Sequence, residues 1–282
     1  MPQRVLDLLK EAVKANMADK FRSGNIVSLP AQGTLVIAGD IHGHRRNFER
    51  LSNSAGLENN PDCHVVLQEI IHGGQIDECG DCTSYKLLFE AAEYKLKFPD
   101  RVHIIMSNHD TATITDSEVM KQGRKMNISM RAAIDREYGL DGPGIMFAIE
   151  DFLFSEPLAV KCENGIWVSH SLPSDRFLDK FETDIFDRPL KKEDLTKPGS
   201  VYLLTWGRKH SQDTLNRMAE MLGAEIFILG HQTEHGGCGK AGDNLIIINS
   251  EQNHGCLMKV DMSQHYNIGE LMNTVLPIAS IQ

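Results

Sequence analysis

The sequence predicts an α/β protein built from two packed sheets flanked by helices. Strand-like and helix-like segments alternate up to Met106, and the last third is rich in short apolar runs bounded by turn residues. No linker-like, repetitive or low-complexity stretch interrupts the order. Residues 1–282 therefore read as one domain, with a core over about 33–262.

The opening segment MPQRVLDLLKEAVKANMADKF mixes charged and apolar residues at helical spacing, which predicts an N-terminal helix over 3–21 and not a signal peptide. Gly33–Gly39 (GTLVIAG) reads as a buried strand, followed by a helix over Arg45–Leu57 and a strand over His64–Leu67. A polar, Gly-rich loop follows from His72 to Gly80. Thr83–Leu96 has helical spacing, Pro99 breaks it, and Arg101–Met106 is a third strand. Ser117–Tyr138 and Phe147–Phe154 are helix-compatible. Leu158–Cys162 and Gly165–Ser169 read as strands, and the charged stretch Asp175–Gly199 as an irregular excursion. Strands are expected at Val201–Thr205, Glu225–Leu229, Asn244–Asn249 and Cys256–Val260, with a helix over Gln212–Leu222.

Composition narrows the function. Acidic residues number 39 against 29 Lys and Arg, a formal charge of −10. That argues against a partner such as duplex nucleic acid, but not against phosphorylated substrates, since bound cations can reverse a local field. No apolar run approaches the roughly 18–20 residues of a membrane span. The expectation is a soluble, cytoplasmic protein whose six cysteines are free thiols or metal ligands.

Several strands end in a metal-binding type of residue. Asp40 and His42 follow the first strand, Glu69 the second, and Asn108 and His109 the third; His170 and His231 follow later ones. Sites in open α/β sheets form outside the carboxyl ends of strands. A mixed set of carboxylate, imidazole and amide oxygen suits manganese, iron or zinc.

The order GDIHG, Glu69, NHD, His170 and GH231 resembles the calcineurin-like metallophosphoesterases, nearest the phosphoprotein phosphatase branch. That branch reads GDxHG, GDxVDRG, GNHE, a lone His and a second His. The segment KFPDRVHIIMSNHD is close to the strand that leads into GNHE, and GHQ to the last His motif. The resemblance covers roughly Leu35–Val260. It implies a four-layer αββα sandwich and phosphate-ester hydrolysis by water activated between two divalent ions about 3.5–4 Å apart. Asp40 and His42 would hold the first ion, Glu69 would touch both, and Asn108, His170 and His231 would complete the second. His109 would protonate the leaving oxygen. A Ser/Thr-phosphatase-like monoesterase acting on a phosphoprotein or small phosphoester comes first. A nucleotide or diadenosine-polyphosphate hydrolase and a catalytically degenerate metal-binding protein are the alternatives.

Three departures from that pattern stand out. Gln68-Glu69 replaces Gly-Asp, keeping a carboxylate with one more methylene. The DRG segment is missing from its usual place; Asp81 either takes the position of its Asp and orients His109, or is a helix N-cap, with His72 a loop residue or a supporting group. The phosphate-holding arginine is absent as well, and Arg208 is the best replacement, with Arg45 and Arg46 as rivals. Cys79 and Cys82 (CGDC), with Cys238, read as ordinary thiols, a structural metal site or a redox pair. Trp167 and Trp206 read as core residues beside site strands.

Overall fold

The computed structural model describes residues 2–281. In chain order the elements begin with α1 (Pro2–Met17), β1 (Arg22–Ser23), β2 (Ile26–Leu29), β3 (Thr34–Asp40), α2 (Arg45–Ala55), β4 (Cys63–Gln68), α3 (Tyr85–Lys97) and β5 (Val102–Ile105). Then come α4 (Asn108–Ile114), β6 (Met120–Lys121), β7 (Arg124–Lys125), α5 (Met126–Tyr138), α6 (Gly142–Phe154), β8 (Ala159–Cys162) and β9 (Ile166–Ser169). The chain closes with α7 (Ser200–Trp206), α8 (Gln212–Leu222), β10 (Ile226–Leu229), β11 (Cys238–Ala241), β12 (Leu245–Ile248), β13 (Cys256–Asp261), α9 (Ile268–Met272) and β14 (Val275–Pro277).

One sheet runs β14-β13-β3-β4-β5, with β3, β4 and β5 parallel and β13 antiparallel to β3. The other runs β1-β2-β8-β9-β10-β12-β11, with β9, β10 and β12 parallel. Side chains alternate across a strand, so a strand apolar at every position is buried on both faces. In β3, Leu35 and Ile37 join Val66, Val168, Ile228 and Ile246 between the two sheets. Val36 and Ala38 face the other way, with Val65, Leu67 and residues of α2 and α3. Packed sheets with helices outside give the expected αββα layering, and the parallel strands direct the loops after Asp40, Gln68, Ile105, Ser169 and Leu229 toward one site.

Three segments differ from their sequence reading. Val201–Thr205 is not a strand but lies in helix α7. Its buried residues Ser200, Val201, Leu203, Leu204 and Thr205 pair at i, i+3 and i, i+4, so tertiary packing overrides the β preference of a VYLLT run. Ser117–Tyr138 splits into the β6–β7 hairpin and helix α5, because Gln122 and Gly123, both at positive φ, form a tight turn. The amphipathic N-terminal helix ends at Met17. The excursion over Asp175–Gly199 is irregular as expected, with three short 3₁₀ turns.

Candidate metal centre

The loops after β3 and β4 are zipped together by their backbones. Glu69 O accepts from Ile41 N at 3.2 Å and His42 N at 2.8 Å, and Ile70 O accepts from Gly43 N at 2.7 Å. Close approach dictates the glycines at two places. A Cβ on Gly39 would lie 1.9 Å from the Ile248 carbonyl oxygen, and one on Gly230 would lie 2.2 Å from Asp40 Oδ1. Seven non-glycine residues among those described have positive φ, and four of them (His42, Glu69, His72 and His231) meet here. L-residues pay roughly 1–2 kcal/mol for that conformation, and such strain concentrates where side chains must be aimed. Helix α4 begins with a capping box: Ser107 Oγ accepts from Asp110 N, and Asp110 Oδ2 accepts from Ser107 N at 2.7 Å. The Asp of NHD thus fixes the first turn that presents Asn108 and His109.

All six expected metal ligands converge, each at most 7% exposed. His42 Nε2 stands 3.2 Å from Glu69 Oε2, and Asn108 Oδ1 lies 2.7 Å from His170 Nε2 and 2.9 Å from His231 Nδ1. Glu69 belongs to two clusters, one with His42 and His109 and one with Asp40 and His170; the ligand atoms of each lie within 4.8 Å of one another. Its Oε1 has no hydrogen-bond partner.

Neighbouring groups decide which ring nitrogens carry lone pairs. His42 Nδ1 donates to Ile71 O at 3.0 Å, which turns the Nε2 lone pair toward the Glu69 carboxylate. Gln68 donates from its amide nitrogen to Ala38 O, so its Oε1 accepts from His170 Nδ1 at 2.8 Å. The His170 Nε2 lone pair then confronts Asn108 Oδ1. Acceptors facing acceptors repel unless a cation sits among them. Ligand atoms that share one ion stand roughly 3 Å apart, as these do.

Electrostatics point the same way. Burial pushes the Glu69 carboxyl up to about 7 and the Asp40 carboxyl well above its usual range, Asp40 also being raised by the neighbouring Glu69 charge. Burial also lowers the basicity of His42, His109, His170 and His231, keeping them neutral. Neutral imidazoles and carboxylates that lack a matching cation make a donor set that fits divalent ions.

The other predicted residues divide. Arg208 is at the site, its Nε 3.0 Å from His231 Nε2. Arg45 is held by Glu90, away from the centre. Asp81 does not orient His109: its carboxylate accepts from Ser129 Oγ at 3.0 Å and pairs with Arg136. The loop carrying it folds outward through the Ile76–Cys82 bridge, and His72 occupies the position instead, its Nδ1 3.0 Å from His109 Nδ1. The GDxVD spacing contained this signal, since its second Asp lies three residues beyond the first and His72 lies three beyond Glu69. Cys79, Cys82 and Cys238 are free thiols, and no Cys joins a metal-type cluster among the described residues. Trp167 is core, and Trp206 donates to Thr111 Oγ1 at 3.0 Å. Gln68 enters the sequence pattern only as a replacement for Gly, and Lys121 and Glu251 do not enter it.

A family model described as calcineurin-like phosphoesterase matches residues 33–244. The chain belongs to the calcineurin-like phosphoesterase family. It is therefore a hydrolase acting on phosphoesters, in a family that uses divalent metal ions. Among solved structures, a protein serine/threonine phosphatase from Saccharomyces cerevisiae superposes with a TM-score of 0.71, covering 99% of this chain and 93% of its own at 14% identity. A cold-active protein-tyrosine phosphatase of a psychrophilic Shewanella gives a TM-score of 0.59 over 89% and 82% of the two chains, also at 14% identity. These likenesses are of fold. A search of curated proteins finds no match.

Proposed function

We propose that this phosphoesterase is a phosphomonoesterase holding two divalent ions of manganese, iron or zinc. Asp40, His42 and Glu69 hold one, and Glu69, Asn108, His170 and His231 the other. The observation that carries the reading is the unpartnered Oε1 of Glu69, shared by two clusters in which it meets Asp40 and the lone pairs of His42 and His170. When bound, such ions acidify water and neutralise phosphoryl charge.

The chain's own residues do the rest. His72 is neutral, since burial holds its imidazole down to about 3. Donating from Nδ1, it leaves the His109 proton on Nε2, the atom facing Glu69. His109 then serves as an N–H donor to the leaving oxygen. The exposed Arg208 guanidinium clamps the phosphoryl group from the His231 side.

The fold neighbours named as protein phosphatases make phosphoproteins the first substrate class to test. Aryl phosphate, phosphopeptides, ATP and diadenosine polyphosphates, each assayed with Mn²⁺ and with a chelator, provide the test. Chelator-sensitive release of phosphate from monoesters is expected. Preferential cleavage of dinucleoside polyphosphates would replace the reading with a nucleotide hydrolase.

A further inference from the structure

The β6–β7 hairpin connects α4 to α5 and turns at Gln122-Gly123. Its base is fixed. Asn127 donates to Ala112 O at 3.1 Å and Ser117 O at 2.7 Å, while Glu118 Oε1 accepts from Val119 N and Asn127 N. Lys121, Arg124 and Lys125 give it three cations in a protein whose formal charge is −10. Arg124 and Lys125 are exposed. Lys121 turns inward, with its side chain only 19% exposed, and Nζ meets Glu251 Oε2 at 2.5 Å. The same oxygen lies 3.9 Å from His42 Nε2, so one carboxylate oxygen separates this ammonium from the metal-ligand cluster. Glu251 comes from the far side, on the loop between β12 and β13.

We propose that Lys121 binds the substrate phosphoryl group, and that Glu251 is the counter-ion the phosphoryl group displaces. This rests on the phosphomonoesterase reading and deepens it. The arginine that follows the second carboxylate motif in the family pattern is missing, leaving that flank of the site without a cation from its own loop. The hairpin delivers one from a different element, beside Glu251 and His42. In the resting site Lys121 neutralises Glu251, so the ammonium stays paired while partly desolvated. A phosphoryl oxygen offers the same charge-assisted hydrogen bond together with the rest of the site, and it wins the exchange.

A structural tie between hairpin and loop makes the opposite forecast. Cutting a tie from either end has the same effect, whereas removing a ligand donor and removing its competitor have opposite effects. Titration calorimetry of the Mn²⁺-loaded protein with inorganic phosphate distinguishes the two. Lys121→Met should raise the dissociation constant about tenfold, a usual size for a lost hydrogen bond to a charged group. Glu251→Gln should lower it several-fold, with metal content unchanged in both. Phosphate binding that is unchanged in Lys121→Met, or weakened alike in both variants, overturns the assignment and leaves the phosphomonoesterase reading standing. A metal-loaded wild type that binds no phosphate overturns both.

Discussion

Strands β3, β4 and β5 bury carboxylates at both ends, and the two ends treat them differently. At the amino end Asp19 Oδ2 lies 2.9 Å from Lys95 Nζ and 3.0 Å from His103 Nδ1, and His103 Nε2 meets His64 Nδ1 at 3.0 Å. Burial alone would raise the Asp19 carboxyl, but His103 and Lys95 outweigh it and hold it well below the carboxylate range. At the carboxyl end Asp40 and Glu69 are as deeply buried and are pushed upward. A carboxylate supplied with a cation by its own chain belongs to the structure. One left without has to be matched from solution, and in the proposed centre that match is a divalent ion.

Substitutions at the two ends should have opposite effects. Asp40→Asn should lose Mn²⁺-dependent turnover by at least about 10³-fold, because a ligand worth several kcal/mol of transition-state charge stabilisation is removed. Its chelated form should melt no lower than the wild type, since a buried group no longer resists ionisation. Wild-type-like turnover would contradict the assignment. His109→Ala should lower kcat by about 10²–10⁴-fold on alkyl phosphates and by less on nitrophenyl phosphate, whose leaving group needs little protonation. Equal losses on the two would count against a proton-donor role.

At the other end Asp19→Asn should cost about 3–5 kcal/mol of stability by leaving Lys95 buried and unpaired. Denaturant melts would register that loss, while metal content and kcat stay near wild type. A drop in metal content would mean the two ends are not independent.

The metal-free protein should also weaken in acid. Burial holds His42, His64, His72, His103, His109, His170 and His231 neutral in the fold, with pKa values below the ordinary 6.5. The unfolded chain takes up more protons below that pH, so stability falls as pH falls through 6.5. Asp40, Glu69, Glu90, Asp110, Glu150 and Glu156, whose carboxyls burial raises, act in the opposite sense but are fewer. In chelator, the melting temperature at pH 5.5 should lie a few degrees below that at pH 7.5. The rise on adding Mn²⁺ should shrink over the same range, because ligands must be deprotonated to bind. An Mn²⁺ effect independent of pH would argue against imidazole ligands. The smallest effect belongs to Arg208→Lys, which keeps the charge but loses the fork. kcat/KM should fall about tenfold, with weaker phosphate inhibition, and no change in either would take Arg208 out of the site.

Five of the six proposed ligands were legible because each closely follows an apolar strand, so local pattern and position coincide. Asp40, Glu69, Asn108, His170 and His231 all have that signature. What was hidden depended on contacts distant in sequence. Lys121 and Glu251 meet across 130 residues, and nothing near either announces the other. Asp81 looked suitable because it precedes a helix, but an outward loop gives it to Arg136 and leaves His109 to His72. In α7, packing of Val201, Leu204 and Thr205 outweighed the β preference of the run. Gln68 holds His170 in place, a role that emerges only once Gln68 Oε1 stands 2.8 Å from the ring.

Metal stoichiometry decides whether Glu69 is the shared ligand of two ions. Wild type and Glu69→Gln would be equilibrated with Mn²⁺, freed of unbound metal and analysed by inductively coupled plasma mass spectrometry, with circular dichroism confirming the fold. Two ions per wild-type chain are expected, and loss of both from Glu69→Gln, because both clusters draw on the same carboxylate. A wild type that retains no metal, or a folded Glu69→Gln that still holds two ions, would contradict that role.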